Sequence, residues 1–181
     1  MLTAAAPTTG AVDFTAAFAR LLRDGGLRDC FRKDPGALAD EWGLDDTARP
    51  AFVALAPDDL EAQAVVLLRK RFAQIERLLP RTCAVLGAGA WPAFHVYSRL
   101  QWPSEALMEL RDALDFCDHI ARSNPEALCV TECNRVRFLL GQRRFALHFA
   151  AWQPGPAGGG ALQLLVRLRQ NGAWREFLLH A

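Results

Sequence analysis

The chain has 181 residues and a mass of 20.0 kDa, so we expect one domain, or a small domain with a substructure attached. Hydrophobic residues make up 51% and charged residues 23% of the sequence, which is too apolar for a disordered chain. No stretch reaches the roughly 18 consecutive apolar residues of a membrane helix, and the first residues lack the basic and apolar runs of a signal peptide. We therefore expect a cytoplasmic globular protein.

Helix signals dominate the first third of the chain, and the abundant alanine and leucine favour helices throughout. Asp13 precedes an apolar-periodic run that Gly25–Gly26 would end, and Asp34 precedes a proline at the first helical position. Asp45 opens a further short run, although Pro50 is unusual inside a helix. The short helices predicted here cover 13–24, 27–32, 35–42 and 45–54.

The longest predicted helix begins at Pro57 and ends near Leu79, because apolar residues recur there at a spacing of about 3.6. Pro80 ends the pattern. A helical turn at 82–86 and a loose segment at 87–89 should follow. The remaining predicted helices cover 91–100, 105–122 and 125–135.

The residue pattern changes period near the C-terminus. Arg143–Phe149, Ala161–Arg169 and Trp174–Leu179 alternate as strands do, and Asn171–Gly172 is typical of a tight hairpin turn. We therefore predict an α+β fold: a flexible segment at 1–12, a helical domain at 13–135 with about six to eight helices, and a small antiparallel sheet of about three strands at 136–181. A sheet this small must pack one face on the helices, which leaves its edges open.

Charge is unevenly distributed along the sequence. Residues 134–181 hold seven arginines and one acid, Glu176, whereas residues 1–133 carry a net negative charge. A basic C-terminal quarter could face an anionic partner such as an acidic peptide or nucleic acid, or could simply keep a sheet surface hydrated.

Signatures of catalysis and metal binding are missing from the sequence. It has no Gly-x-Ser-x-Gly elbow, phosphate-binding loop or dinucleotide fingerprint. The four histidines are scattered, and Cys129 and Cys133 have no second pair at zinc-finger spacing. We therefore expect a non-enzymatic protein without a metal ion or cofactor of its own, in which these two cysteines lie in the core.

Several short packing motifs resemble a family of bacterial accessory proteins. These proteins accompany multinuclear non-haem iron enzymes that modify ribosomally made peptides, and they include partners in methanobactin-type and 3-thiaglutamate-type pathways. The resemblance covers roughly residues 14–179. Its motifs are Lys70-Arg71-Phe72, Leu78-Leu79-Pro80-Arg81-Thr82, Leu86-Gly87, Phe94…Tyr97, Trp102-Pro103, Phe116-Cys117 and Glu132-x-x-Arg135.

The resemblance implies a helical body with a small C-terminal sheet, which agrees with the periodicity. It also implies that iron and oxidation belong to a partner enzyme with a (β/α) barrel. The accessory chain would bind the leader of a precursor peptide and present it to that barrel. The motifs are structural, so they identify no individual binding residues.

Residues at the expected sheet are candidates for holding an extended, acidic leader, because a free strand edge supplies main-chain hydrogen bonds and arginines supply charge complementarity. The aromatic residues that flank the glycine-rich break are candidates for the partner interface. The peptide-binding candidates are Arg143, Arg144, Phe145, Leu147, Arg167, Arg169 and Arg175, and the interface candidates are Trp91, Tyr97 and Trp102.

Two other classes of function remain open. A nucleic-acid-binding or regulatory domain would use the basic residues between Arg69 and Arg81, although the isoelectric point near 7.7 argues against a dedicated nucleic-acid binder. A stand-alone enzyme would need a pocket built on Glu132, Cys133 and His148.

Overall fold

The computed structural model describes residues 12–99, 101–103, 107–141, 144–150, 161–167 and 173–180. The predicted α+β class is confirmed, since helices occupy the chain up to Leu140 and a three-stranded antiparallel sheet follows. The predicted flexible segment, the central residues of the hairpin turn, Arg143 and Arg169 lie outside the described residues, apart from Val12 at the end of that segment.

The chain divides into two compact units, and the boundary falls inside the long helix. The first unit comprises Met1–Leu68 and Arg99–Gln101, and the second comprises Arg69–Ser98 and Trp102–Ala181. The sequence predicts a helical domain at 13–135 and a small sheet at 136–181 packed on the helices, and in the structure the sheet belongs to the same compact unit as the helices that precede it.

The first unit is built from short helices, three of which begin directly after an aspartate. They are α1 (Phe14–Arg23), α2 (Gly25–Lys33), α3 (Pro35–Glu41), α4 (Ala48–Val53) and the first turns of α5 (Pro57–Leu78). The carboxylates of Asp13, Asp24, Asp34 and Asp45 accept hydrogen bonds from backbone N–H groups at helix starts, which satisfies donors that a helix cannot satisfy itself. A core that includes Leu21, Phe31, Phe52 and Leu60 closes beneath them.

Gly25 opens α2 instead of ending α1, which differs from the prediction. Asp24 ends α1, and its side chain caps α2 through Gly26 and Leu27. The Gly25 N–H donates to the Arg99 carbonyl at 2.8 Å, and a Cβ at this position would lie 3.2 Å from that oxygen. The glycine therefore fits a close backbone approach that a Cβ would make tight.

Pro50 is accommodated because it is the third residue of α4. At that position a backbone N–H has no partner within the helix, so proline removes nothing.

The second unit contains the remaining helices and the sheet. It holds the last turns of α5, α6 (Pro80–Leu86), a 3-10 turn (Gly87–Gly89), α7 (Ala90–Ser98), α8 (Met108–Ser123), a second 3-10 turn (Pro125–Ala127) and α9 (Val130–Leu140). The predicted helix 125–135 is therefore wrong at both ends. Leu128 and Cys129 are extended, so a new helix begins only at Val130.

The sheet consists of β1 (Phe145–Ala150), β2 (Ala161–Arg167) and β3 (Trp174–His180), in the order β1-β2-β3. Both strand pairs are antiparallel. Phe145 lies opposite Val166, and Val166 lies opposite Arg175 on the other side. One face of the sheet packs on α9 through Phe138, Ala146 and Leu165.

Candidate peptide-binding sheet

The face of the sheet that points away from α9 is formed almost entirely by apolar side chains. We call it the open face. Phe145 is 72% exposed, Phe149 82% and Leu179 65%, and large exposed apolar clusters of this kind mark interaction sites. The open-face positions are Phe145, Leu147 and Phe149 of β1, Leu162, Leu164 and Val166 of β2, and Arg175, Phe177 and Leu179 of β3.

The opposite face carries the polar residues, although it is the face that packs on α9. Gln163 is completely buried, and its Nε2 donates to the Thr131 carbonyl at 2.8 Å and to Glu176 Oε1 at 2.7 Å. The other carboxylate oxygen of Glu176 lies 3.4 Å from Arg135 Nη1, and Arg135 Nη2 donates to the Leu78 carbonyl at 2.7 Å. Hydrogen bonds therefore anchor the sheet to α9.

This arrangement departs from the usual alternation of a half-exposed sheet, in which the apolar face packs on the core and the polar face meets water. Apolar side chains lie on both sides of the sheet, since Ala146 and Leu165 pack on α9 while the open face is also apolar. Leaving the open face uncovered costs hydrophobic stabilisation, so it is a surface on which a further layer would bury apolar area.

The outer edge of β1 offers unpaired backbone groups. The Arg167 N–H donates to the carbonyl of Arg144, its counterpart in the register, at 2.7 Å. In an antiparallel ladder, hydrogen-bonded and non-bonded pairs alternate, so the N–H and C=O groups of Phe145, Leu147 and Phe149 point away from β2. These are the residues whose side chains lie on the open face, and among the described residues β1 has no strand on that side.

The structure separates the predicted peptide-binding residues. Phe145 and Leu147 lie on the open face and on the free edge, and Arg144 is exposed just before β1. Arg175 is exposed on the open face at the same end of the sheet. Arg167 does not join them: its Nη2 donates to the Leu139 carbonyl at 3.3 Å, and its guanidinium lies 5.4 Å from the centre of the Phe138 ring. Arg167 alternates to the α9 side and so does not lie on the open face, and its part in peptide binding stays a prediction.

Among the predicted interface residues, Tyr97 is inaccessible. Its ring is buried, and its hydroxyl donates to Asp112 Oδ1 at 2.8 Å. Burial, together with the neighbouring carboxylate of Asp112, raises the pKa of Tyr97. Tyr97 is therefore held inside its own unit and is not presented on the surface.

Trp91 and Trp102 each line a concave surface. Trp91 borders a cleft of about 460 Å³ shared with Phe72, Glu76 and Cys83, and the Arg69 guanidinium lies 3.7 Å from the centre of its ring. Trp102 borders a second cleft, of about 440 Å³. Both side chains are half-buried, so a partner could still reach them.

Glu132 and Cys133, which a stand-alone enzyme would need in its pocket, make structural contacts. The Glu132 carboxylate accepts hydrogen bonds from the Arg81 N–H at 2.8 Å, the Thr82 N–H at 3.0 Å and the Thr82 hydroxyl at 2.9 Å, so it caps α6. The Cys133 sulfur lies 2.7 Å from that of Cys117. Cys129 and Cys133 are both buried, as the sequence predicted.

One member of the basic stretch between Arg69 and Arg81 is buried, which interrupts its exposed charges. Arg71 is buried and pairs with Asp112, while Arg69 is exposed and stacks on Trp91. The interruption weakens the nucleic-acid alternative, since binding of that kind needs several phosphate contacts from one face.

Neither a metal centre nor a membrane span is apparent in the described part of the chain. It contains no group of three or more His, Cys, Asp or Glu side chains placed to hold a metal ion. None of its helices is long and apolar enough to cross a membrane.

Comparison with protein-family models, curated proteins and solved structures finds no match to this chain. Its function must therefore be argued from its own residues.

Sequence reasoning missed three exposed members of the open face: Phe149, Phe177 and Leu179. The signal was present: Gln163 and Glu176 alternate with these apolar residues in the strands, and the two sets must point to opposite faces. What the sequence lacked was the knowledge that the polar set faces α9.

Proposed function

We propose that this chain is a non-catalytic partner subunit that binds the leader of a ribosomal precursor peptide and presents it to an iron-dependent oxidase with a (β/α) barrel. The leader adds to the sheet as a further strand at the edge of β1. The chain itself carries no metal or cofactor and works in the cytoplasm.

The free edge of β1 is the observation that supports the proposal most. The outward backbone groups of Phe145, Leu147 and Phe149 follow from the Arg144–Arg167 hydrogen bond and the register. Strand addition uses such groups for affinity without demanding a particular sequence. The resemblance to accessory proteins of peptide-modifying iron enzymes supports the identity of the peptide and of the partner.

A proline at residue 147 tests the edge directly. The Leu147 N–H points away from β2, so Leu147→Pro removes a docking donor without removing a bond to β2, and edge strands tolerate proline at such positions. Leu147→Ala is the matched control because it keeps the N–H. Circular dichroism would verify that both variants are folded.

The proposal expects a short precursor peptide to be encoded beside the gene, and that peptide, with a fluorescent label, is the ligand for this test; a neighbourhood without one would contradict the proposal. Titration should show that Leu147→Pro weakens binding at least tenfold and that Leu147→Ala weakens it less. Equal affinities for the wild type and Leu147→Pro would contradict docking at this edge.

The proposal also expects an iron oxidase to be encoded beside the gene, and co-expression of the two chains tests the partnership. We expect the two chains to co-elute in gel filtration at micromolar concentration, and the iron to remain with the oxidase. Separate elution, both with and without the peptide, would contradict the role of partner subunit.

A further inference from the structure

The geometry of β1 restricts which peptide sequence can dock, and this inference rests on the proposed function. We propose that the docked segment has large apolar residues at three alternate positions, followed at its C-terminal end by an acidic residue. The three apolar residues lie opposite Phe145, Leu147 and Phe149. The acidic residue lies beside Arg144.

The alternation follows from the backbone. A residue of an added strand that bonds to the outward groups of Leu147 lies directly opposite Leu147, and paired side chains lie on the same face. Its neighbours two positions away lie opposite Phe145 and Phe149. All three positions therefore extend the open face, where aromatic and β-branched cross-strand pairs are favourable.

The positions between them point to the α9 side of the sheet. There the neighbouring β1 residues are Ala146, which is buried, and His148, which is half-buried. These intermediate positions therefore do not meet the three apolar β1 side chains. The expected peptide pattern therefore spans five residues, with large apolar residues at the first, third and fifth positions.

The acidic end follows from charge. Arg144 is exposed next to Phe145, and Arg175 is exposed in the same row of the register, two strands away. By alternation the added-strand residue opposite Arg144 lies on the same side of the sheet as Arg144, one position beyond the apolar set. The whole sheet is antiparallel, and a peptide that continues this pattern runs from Phe149 towards Phe145, so its C-terminal end reaches Arg144.

Three synthetic nine-residue peptides with fluorescent labels provide the probes. The first alternates valine with threonine and ends in two aspartates. The second has the same composition with its valines in one block. The third repeats the first with lysines in place of the aspartates. Binding to the full chain is measured by fluorescence anisotropy at two salt concentrations.

We expect the alternating acidic peptide to bind at least tenfold more tightly than the block peptide and about fivefold more tightly than the lysine peptide. N-methylation of its three valines that face β1 should abolish binding, whereas N-methylation of the intermediate threonines should not. Equal affinity for the alternating and block peptides, or no binding of the alternating peptide, would overturn the inference.

Charge reversal at Arg144 and at Arg175 tests which arginine lies beside the acidic C-terminal end of the peptide. Arg144→Glu should weaken binding of the aspartate peptide about tenfold and remove most of its salt dependence. Arg175→Glu is the matched control, because it makes the same charge change two strands away. Strand spacings of about 4.8 Å place it about 10 Å from β1. Salt screens a charge at that distance, so its effect on binding should be smaller. Equal effects, or none, would contradict an acidic residue beside Arg144.

The two proposals fail in different ways. If the leader peptide loses binding to Leu147→Pro but the synthetic peptides show no preference for alternation, the sequence rule is wrong and docking at β1 stands. If the alternating peptide binds the wild type and Leu147→Pro equally, the peptide does not bind at the edge of β1 and the proposed docking site is wrong.

Discussion

Arg71 and Asp112, 41 residues apart in the chain, form a buried two-pronged ion pair between α5 and α8. Arg71 Nε and Nη2 donate to the two carboxylate oxygens of Asp112 at 3.0 and 2.8 Å. The Tyr97 hydroxyl donates to the same carboxylate, and the Arg71 guanidinium lies 4.5 Å from the centre of the Trp102 ring. These contacts explain why part of the basic stretch and one predicted interface aromatic belong to the interior.

Removing one partner of this pair should destabilise the protein strongly. Arg71→Met leaves the Asp112 carboxylate buried without its cation, which typically costs about 3–5 kcal/mol. Tyr97→Phe is the milder comparison, because it removes one hydrogen bond and should cost about 1–2 kcal/mol. Urea unfolding of both variants measures the difference, and a loss below about 1 kcal/mol for Arg71→Met would show that the pair contributes little.

Glu132 should act as a structural cap of α6. Glu132→Ala removes the acceptor for the Arg81 and Thr82 N–H groups and for the Thr82 hydroxyl, so we expect a loss of about 2–4 kcal/mol. Amide hydrogen exchange at residues 81 and 82 should accelerate more than exchange in α8. Unchanged exchange at these two amides would contradict the capping role.

Cys83 should be a slow nucleophile at ordinary pH. Burial, with smaller contributions from Glu76 and Glu132, raises its pKa to about 12, so only about a thousandth of the thiol is ionised at pH 9. Because the folded-state pKa lies above that of a free thiol, about 8.5, this residue favours the unfolded state as the pH rises from about 8.5 to 12.

The reactivity of Cys83 can be measured by iodoacetamide labelling of Cys30→Ser, which removes the exposed thiol of Cys30. Mass spectrometry at increasing pH should show labelling of Cys83 that rises about tenfold per pH unit beyond pH 9. A rate that levels off near pH 9 would show that the thiol is not shielded.

Replacing a large apolar side chain should have different effects on stability on the two faces of the sheet. Phe149→Ser changes an open-face side chain and should alter the free energy of unfolding by at most about 0.5 kcal/mol. Leu165→Ala, on the α9 side where Leu165 is completely buried, should cost about 2–5 kcal/mol. Thermal unfolding compares them, and similar losses for both would mean that the open face is already packed.

Local rules predicted much of this fold. Asp13 and Asp34 cap helices as expected, because an Asp side chain reaches N–H groups only three residues away. Gly43 ends α3 with a φ of +63°, a conformation that glycine adopts readily. The strands were recognisable from alternation alone, since period two is a property of the extended chain.

Long-range partners decided the rest. The strands hold apolar residues on one side and Gln163 and Glu176 on the other, and alternation does not say which side faces inward. That choice depends on the Thr131 carbonyl and Arg135, which lie on α9 and bind Gln163 Nε2 and the Glu176 carboxylate. The sequence by itself thus determined the helices, the strands and the two residue sets, whereas only the tertiary structure decided that the apolar set stays exposed.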